Sequence, residues 1–332
     1  MSSAVDVQNL SKRFRVHRRP GLAARVRHPF GRYTHDVVAL DGLTFSIAVG
    51  ERVAFIGPNG AGKSTTLKIL AGILRPDAGC VRVLGLTPAT QRRDLAFQIG
   101  TVFGQRSQLW YQLPASDTFA LLRRVYDVEA SQHQRRLESL TAAFSLASLV
   151  DTPVRHLSLG ERMRCEIVAS LLHAPRILFL DEPTIGLDVS AKAVIRELLR
   201  RESERQGVTL LLTSHDTGDI ESVCDRAIVI HGGRLLWDGS VSELRRGYLK
   251  VKRLTLWSEV EHLSLNLPGV RVLSSRSYQT EVEIVPDVTP LAQVLDVAVR
   301  QGAIRDMAIE DAPLDEVIRA LYANAEAPGV SS

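Results

Sequence analysis

The chain has 332 residues, of which 45% are apolar and 23% are charged, and its formal net charge is +4. This composition can supply one or two buried cores, and it excludes a fibrous, collagen-like or globally disordered protein. Eight cations lie between Val7 and His35 without one Asp or Glu, so the basic character of the chain belongs to one segment.

The cysteines and the apolar runs indicate the compartment. Three widely spaced cysteines, none in a C-x-x-C pair, argue against a disulfide framework or a thiolate metal site and favour a reducing cytosol. Residues 1–10 lack the apolar core of a signal peptide, and no segment approaches the roughly eighteen uncharged apolar residues of a membrane span. We therefore expect any membrane role to come through a partner.

From residue 53 onward, short apolar runs alternate with segments of helical spacing. The runs at 53–56, 177–180 and 208–212 predict buried strands, and the spacing over 161–173 and 190–206 predicts helices between them. Strands that alternate with helices of this length favour a mostly parallel sheet that is covered on both faces.

Two further segments depart from this alternation. Residues 92–152 are predicted to form a helical insertion, and residues 227–239 are predicted to form a β-hairpin that turns at Gly232 and Gly233. The residues expected on the apolar faces of the insertion are Leu121, Leu122, Val125, Leu137, Leu140 and Phe144.

The composition changes again beyond Leu249, where the patterns suffice for a small α/β domain. The predicted elements there are strands at 251–257 and 304–309, a β-hairpin across 270–285, and helices at 290–300 and 314–323. We therefore expect a first domain at 1–248, an accessory domain at 249–326 and a frayed tail at 327–332.

A glycine-rich loop connects the first predicted strand to a helix that begins near Lys63. It matches the phosphate-binding pattern G-x-x-x-x-G-K-[ST], in which backbone N–H groups curl around phosphate oxygens at the positive end of a helix. In this pattern Lys63 reaches the β- and γ-phosphates and Ser64 ligates Mg²⁺. The candidate nucleotide-binding residues of the loop are Gly57, Pro58, Asn59, Gly60, Ala61, Gly62, Lys63, Ser64 and Thr65.

Two adjacent carboxylates, Asp181 and Glu182, end the predicted strand at 177–180. We expect Asp181 to hold Mg²⁺ and Glu182 to act as the general base for an attacking water. Successive strand residues point to opposite faces, but both side chains can reach one cavity where the strand runs out into a loop. A solvated strand end without a catalytic role is the alternative.

Five motifs follow one another in a set order. The phosphate loop GPNGAGKST at 57–65 precedes LSLGERM at 157–163, ILFLDEPT at 177–184, GLD at 186–188 and TSHD at 213–216. In this order they resemble the motifs of ATP-binding cassette (ABC) ATPases, over about residues 5–239. The resemblance implies an α/β fold, a P-loop NTPase cassette with a parallel-sheet core, an antiparallel β subdomain and a helical signature subdomain at about 92–172, plus the small C-terminal α/β domain.

The segment LSLGE matches the signature LSGGQ, which in this family covers the γ-phosphate bound by the partner subunit. The resemblance assigns this role to Ser158, Leu159, Gly160 and Glu161, although Leu159 and Glu161 depart from the family pattern. Since Glu161 begins an amphipathic helix, Ser158 and the Gly160 N–H would lie at its positive end, which suits an anion. An ordinary helix N-cap at Ser158 is the alternative.

Gln105 follows a further predicted strand. The resemblance places it where the family has a glutamine that senses Mg²⁺ and the attacking water and links the site to the membrane subunit. Gln108 is a nearby rival for this role. Trp110 and Tyr111 follow in an apolar loop, and we expect them to dock a helix of a transmembrane permease. Core packing is the commoner explanation for such a cluster.

Three further roles follow from the resemblance. His215 matches the family's switch histidine, which contacts the γ-phosphate and orients the glutamate, and Asp188 would lie at the dimer interface. Phe14 is the best match for the aromatic residue that stacks on adenine, with Tyr33 as its rival.

The basic segment at 18–36 interrupts the cassette pattern. It can be a solvated loop, an electrostatic contact with anionic lipid or an acidic subunit, or a nucleic-acid patch. Because it lacks the stacking aromatics and grooved context of nucleic-acid binders, we expect no nucleic-acid partner.

Taken together, the resemblance implies an ATP- and Mg²⁺-dependent ATPase subunit of a membrane transporter. It would be cytoplasmic, bound to the inner face of the cell membrane through separate permease subunits, and would dimerise with itself or with a paralogue. The segments GQRSQLWYQLP and LSLGERMRCE are similar to those of multidrug-type bacterial exporters, so we expect export. An importer and a cassette that acts on ribosomes or nucleic acid are the alternatives.

Overall fold

The structure, a computed structural model, describes residues 3–17, 34–104, 107–247, 251–311 and 313–326. It divides into two compact units, Met1–Gly239 and Ser240–Ser332. Several residues with predictions attached lie outside the described part of the chain: Gln105, Tyr33, most of the basic segment and the tail at 327–332.

The first unit holds an antiparallel sheet of three strands in the order β2-β1-β4. Its strands are β1 (Ser3–His17), β2 (Thr34–Ala48) and β4 (Ala78–Val83). Val5 and Val7 of β1 pair with Val83 and Val81 of β4, and all four side chains are buried. This sheet therefore supplies one wall of the hydrophobic core.

A six-stranded, mainly parallel sheet forms the centre of the same unit, in the order β5-β6-β7-β3-β8-β9. Its strands are β3 (Arg52–Ile56), β5 (Ile99–Phe103), β6 (Ile177–Asp181), β7 (Thr209–Thr213), β8 (Arg226–His231) and β9 (Arg234–Ser240). The turn at Gly232 and Gly233 has positive φ at both residues, 54° and 80°, as a two-residue hairpin requires, so the predicted hairpin is confirmed.

The register of the parallel strands brings three loops to one edge of this sheet. Thr213 at the end of β7 is level with Phe55 of β3 and with Asp181 of β6. The loops that follow these strands therefore emerge side by side, where ligands of open α/β sheets bind.

Helices pack around the central sheet. They are α1 (Lys63–Leu70), α2 (Arg92–Ala96), α3 (Ala115–Val125), α4 (Ala130–Ala143), α5 (Leu159–Leu171), α6 (Val189–Gln206) and α7 (Thr217–Val223), with a 3₁₀ turn at Val154–His156. Leu67 and Leu70 of α1 join Phe55, Phe179 and Leu211 of the strands in one buried cluster. This core holds α1 on the face of the sheet.

The predicted helical region at 92–172 is not helical throughout, because it includes the strand that we expected before Gln105. This strand is β5 (Ile99–Phe103), which pairs in parallel with β6 at the edge of the central sheet. The predicted face of α3 also differs: Leu121 and Val125 are exposed, whereas Ala115, Thr118 and Phe119 are buried. A short amphipathic helix does not reveal which of two moderately apolar stripes faces the core.

The second unit combines a four-stranded antiparallel sheet with three helices. Its elements are α8 (Val241–Gly247), β10 (Lys252–Ser258), β11 (Val270–Arg276), β12 (Gln279–Ile284), α9 (Leu291–Gln301), β13 (Ile304–Asp311) and α10 (Leu314–Glu326), with strand order β11-β12-β10-β13. Leu254, Val282, Val294 and Ala298 lie in its core. The predicted boundary at residue 249 falls beyond α8, which belongs to this unit because it packs on α10.

Candidate nucleotide site

The loop between β3 and α1 has the geometry of a phosphate cradle. Gly62 precedes α1 with φ at 105°, and a Cβ there would lie 2.6 Å from the Ala39 carbonyl oxygen, so only glycine fits without a shift. A Cβ at Gly57 would lie 2.7 Å from the Ile230 carbonyl oxygen. No side chain caps the N-terminus of α1, whose first backbone N–H groups lack helical acceptors and can bind an anion.

Lys63 is folded back onto this loop. Its Nζ donates to the carbonyl oxygens of Gly57 at 2.6 Å and Pro58 at 3.3 Å, and it lies 3.9 Å from Glu182 Oε1. Burial lowers the pKa of Lys63, and the carboxylates of Glu182 and Asp181 oppose that change. The buried cation is therefore held by carbonyls that phosphate oxygens can replace.

Asp181 and Ser64 meet at the base of the loop. Oδ1 of Asp181 accepts from Ser64 Oγ at 3.1 Å and from Thr213 Oγ1 at 2.7 Å. A carboxylate oxygen beside a hydroxyl oxygen is a donor set that suits Mg²⁺ when phosphates and water complete the shell. The side chains of Asp181 and Ser64 thus fit the expected Mg²⁺ ion.

Glu182 adopts a strained backbone conformation immediately after β6. Its φ is 52°, in the left-handed region, and its N–H donates to both O and Oγ1 of Thr213 at 3.1 Å. The bend takes Glu182 off the strand, and its side chain reaches Lys63 as well as His215, whose Nδ1 lies 3.3 Å from Oε2. Asp181 and Glu182 therefore both reach residues of the phosphate loop, Ser64 and Lys63 respectively.

The signature segment forms the N-terminus of α5. Ser158 is the N-cap: its Oγ accepts from Glu161 N at 3.3 Å, and the Glu161 carboxylate accepts from Ser158 N at 2.8 Å. The hydrogen bonds from Ser158 lower the pKa of Glu161. Glu161 in place of glutamine thus completes a capping box that glutamine could also form.

A cavity of about 410 Å³ lies between the signature segment and the start of α6. A Cβ at Gly186 would lie 3.3 Å from Leu159. Leu159, which departs from the LSGGQ pattern, therefore packs against the loop before Asp188. Asp188 caps α6 by accepting from Ala191 N at 2.9 Å. The two predicted interface segments are therefore neighbours.

The loop after β5 is anchored to α5 by a residue that the sequence did not single out. Glu166 is buried, and its carboxylate accepts from Ser107 Oγ and, at 3.2 Å, from Gln108 N. Burial raises the pKa of Glu166. Since Gln108 Nε2 also donates to the Glu166 carbonyl at 3.1 Å, the Gln108 side chain is committed to α5.

The apolar loop that follows is divided between core and surface. Leu109 is buried, whereas Trp110 and Tyr111 are 47% and 57% exposed. Core packing explains Leu109 but not the two aromatic side chains. Trp110 N donates to Thr118 Oγ1 at 3.3 Å, which fixes this loop at the start of α3.

Phe14 lies on β1 opposite Val37 and is half-buried. Lys12 Nζ lies 5.6 Å from the centroid of the Phe14 ring, within the range of a cation–π contact. Lys12 itself pairs with Leu40, whose side chain adjoins Gly62. The strand register thus places Lys12, two residues before Phe14, opposite the residue that adjoins Gly62.

A family model described as ABC transporter matches residues 40–185, from β2 to the loop after Glu182. Over 303 residues the chain is 31% identical to the daunorubicin/doxorubicin resistance ATP-binding protein DrrA of Streptomyces peucetius, covering 85% of this chain and 87% of DrrA. The chain belongs to the ABC transporter ATP-binding proteins. It is the P-loop ATPase cassette of such a transporter, and subunits of this family dimerise and work with transmembrane permease components.

Two further comparisons agree with this membership. The cassette is 37% identical over 213 residues to the Nod factor export ATP-binding protein I of Ralstonia nicotianae, covering 64% of this chain and 65% of that protein. It also matches the dimeric, post-hydrolysis structure of the ATP-binding cassette MJ0796 bound to ADP and Pi. That match has a TM-score of 0.59 and 25% identity and covers 71% of this chain and 98% of the other.

No helix within the described ranges combines the length and the apolar character that crossing a bilayer would take.

Proposed function

We propose that this cassette is the ATPase subunit of an exporter and that Glu182 is the general base of hydrolysis. The observation that carries the catalytic assignment is the position of one carboxylate between Lys63, at 3.9 Å, and His215, at 3.3 Å. A general base needs to lie within hydrogen-bond reach of the attacking water. The left-handed backbone of Glu182 supports this role, since its side chain reaches Lys63 of the phosphate loop, where the attacking water would lie.

The other groups of the site have complementary tasks. The loop N–H groups and Lys63 bind the β- and γ-phosphates, and His215 orients Glu182 and contacts the γ-phosphate. Ser64 and Asp181 would hold Mg²⁺, and the family resemblance adds Gln105 to these ligands. A magnesium ion at this position neutralises charge on the phosphate oxygens. Phe14 supplies a flat face for adenine.

Two composite sites would form in a head-to-tail dimer. Ser158 and Gly160 lie at the positive end of α5 and line the cavity of about 410 Å³, where an anion from a second subunit would bind. Asp188 lies across the same cavity. ATP-driven closure and reopening would then move the docking loop at Trp110 and Tyr111.

We assign Trp110 and Tyr111 to the permease. Large aromatic side chains that are about half exposed are typical of interfaces between proteins. A subunit that docks through them would sit on the inner face of the cell membrane.

The names of two relatives support export, since one is a Nod factor export protein and the other a daunorubicin/doxorubicin resistance protein. The direction of transport is tested in cells of the source organism, with daunorubicin as the first compound. If this chain powers export of such compounds, its deletion raises drug accumulation, and the wild-type gene but not the Glu182→Gln variant restores the original level. Reduced uptake of a nutrient would favour an importer, and co-sedimentation of the chain with ribosomes would favour the non-transport alternative.

The catalytic assignment is tested with Glu182→Gln in the purified full chain. We expect hydrolysis to fall by roughly 100-fold or more, because glutamine cannot accept the proton of water. An ATP-bound dimer should accumulate in size-exclusion chromatography, and its formation by one chain alone would establish a homodimer. The double variant Glu182→Gln/Lys63→Ala is the control that should remain monomeric. An unchanged hydrolysis rate in Glu182→Gln would exclude Glu182 as the base.

A further inference from the structure

A buried carboxylate outside the recognised motifs connects the two catalytic loops. Asp219 lies in α7 and has no exposed surface. Its Oδ2 accepts from Thr184 Oγ1 at 2.5 Å and from Ser214 Oγ at 2.6 Å, and its Oδ1 accepts from Arg196 Nε at 2.6 Å. Three donors compensate for the cost of burying this charge.

The two hydroxyl donors lie next to the proposed catalytic groups. Thr184 is two residues after Glu182, and Ser214 immediately precedes His215. One carboxylate oxygen therefore joins the loop after β6 to the loop after β7. An aspartate has a short side chain, so the distance between these loops is closely determined.

The backbone at Glu182 needs such support. A left-handed conformation strains a residue that carries a Cβ, and it persists only where the surrounding contacts hold it in place. The Glu182 N–H is held by Thr213, and the next turn is anchored at Thr184, whose carbonyl accepts from Leu187 N at 3.2 Å. Thr184 in turn is held by Asp219.

Helix α6 is tied into the same cluster. Arg196 also donates from Nη2 to Asp216 Oδ1 at 2.8 Å, and Lys192 Nζ donates to Asp216 Oδ2 at 2.6 Å. A Cβ at Gly218 would lie 2.6 Å from Arg196 Nη1, so the glycine makes room for the guanidinium. Since α6 begins beside Asp188, the cluster also reaches the interface segment.

We propose that Asp219 is a positioning residue for ATP hydrolysis, which sets the separation of Glu182 and His215 through Thr184 and Ser214. It acts through these two hydroxyls and not on the nucleotide itself. The inference rests on the proposed roles of Glu182 and His215.

The test deletes each hydroxyl in the purified full chain and measures kcat and KM for ATP hydrolysis. Thr184→Val keeps the shape of the side chain and should lower kcat about tenfold, with KM changed less than about twofold, because the base is misplaced while the phosphate loop is intact. Thr184→Ser keeps the hydroxyl and should retain kcat within about twofold of the wild type. Ser214→Ala should behave like Thr184→Val.

The double variant Thr184→Val/Ser214→Ala should lose no more than about the larger single loss, since both hydroxyls act through one oxygen. Ser203→Ala is the matched control: it deletes a buried hydroxyl that donates to Val208 O at 2.7 Å, away from the site, and should leave kcat unchanged. An unchanged kcat in Thr184→Val, an equal loss in Thr184→Ser, or an equal loss in Ser203→Ala would each overturn the proposal.

The Glu182→Gln variant separates this inference from the proposed function. If Glu182→Gln abolishes hydrolysis and Thr184→Val does not affect it, Glu182 remains the base and the role of Asp219 is rejected. If Glu182→Gln is fully active, the catalytic assignment itself fails, and the inference fails with it.

Discussion

Glu182 Oε2 lies 3.3 Å from His215 Nδ1, while Oε1 of the same carboxylate lies 3.9 Å from Lys63 Nζ. The carboxylate is therefore in contact with both the phosphate loop and the loop after β7.

Removal of the His215 side chain should reduce ATP hydrolysis without reducing ATP binding. We expect His215→Ala to lower kcat roughly 100-fold and to leave the Kd for ATP within about twofold, because the phosphate loop keeps its donors. Steady-state hydrolysis and equilibrium nucleotide binding measure the two quantities. His262→Ala, in the second unit, is the control and should match the wild type; a His215→Ala enzyme with normal kcat would contradict the assignment.

Loss of the Lys63 ammonium group from the phosphate loop should mainly weaken the binding of ATP. Lys63→Ala removes the group that donates to Gly57 O and Pro58 O and that we expect to bind phosphate. The Kd for ATP should rise by about 10- to 100-fold, as expected for the loss of charge-assisted hydrogen bonds. Isothermal titration calorimetry measures it, and Lys68→Ala, later in the same helix, is the control. Equal affinities in the two variants would remove Lys63 from the binding site.

The exposed aromatic loop should be needed for assembly. Trp110→Ala/Tyr111→Ala should weaken co-purification of the cassette with its membrane subunits, since aromatic side chains carry much of the energy of many interfaces. The two side chains are about half exposed, so their removal should change the thermal unfolding temperature little. Tyr278→Ala, an exposed aromatic of the second unit, is the control. Full recovery of the complex with the double variant would exclude this docking surface.

Stability should fall on mild acidification because of a buried histidine. His173 stacks on Tyr126 at 3.9 Å, its Nε2 donates to Ile99 O at 2.9 Å, and burial lowers its pKa to about 4. In the unfolded chain the pKa of this histidine is higher, about 6.5. Between pH 6.5 and pH 4 the unfolded chain therefore binds more protons than the folded chain, and the free energy of unfolding decreases as the pH falls through this range. Between pH 7 and pH 5 this group should cost about 2 kcal/mol.

Urea unfolding followed by circular dichroism at the two pH values measures this loss. In His173→Phe, which keeps an aromatic ring and removes the titrating group, the loss between pH 7 and pH 5 should be smaller by about that amount. The same loss in both proteins would show that His173 does not titrate on unfolding.

Features that depend on residues close together in the sequence were predictable. The parallel strands follow from short apolar runs, and the hairpin follows from two glycines that tolerate positive φ. The strand before Gln105 was expected, but the buried face of α3 was misassigned. The reason is that the buried face of a short helix is decided by the elements that pack against it.

The sequence by itself determined which chemical groups this protein has and the order in which they occur: a phosphate loop, two carboxylates after a strand, a signature and a histidine. Only the tertiary structure decided which of them meet. Ser64 and Asp181 are 117 residues apart, and Thr184 and Asp219 are 35 apart, yet each pair is hydrogen-bonded. The reason is physical: these contacts depend on the register of parallel strands and the packing of α6 and α7, which bring together segments whose own patterns do not identify each other.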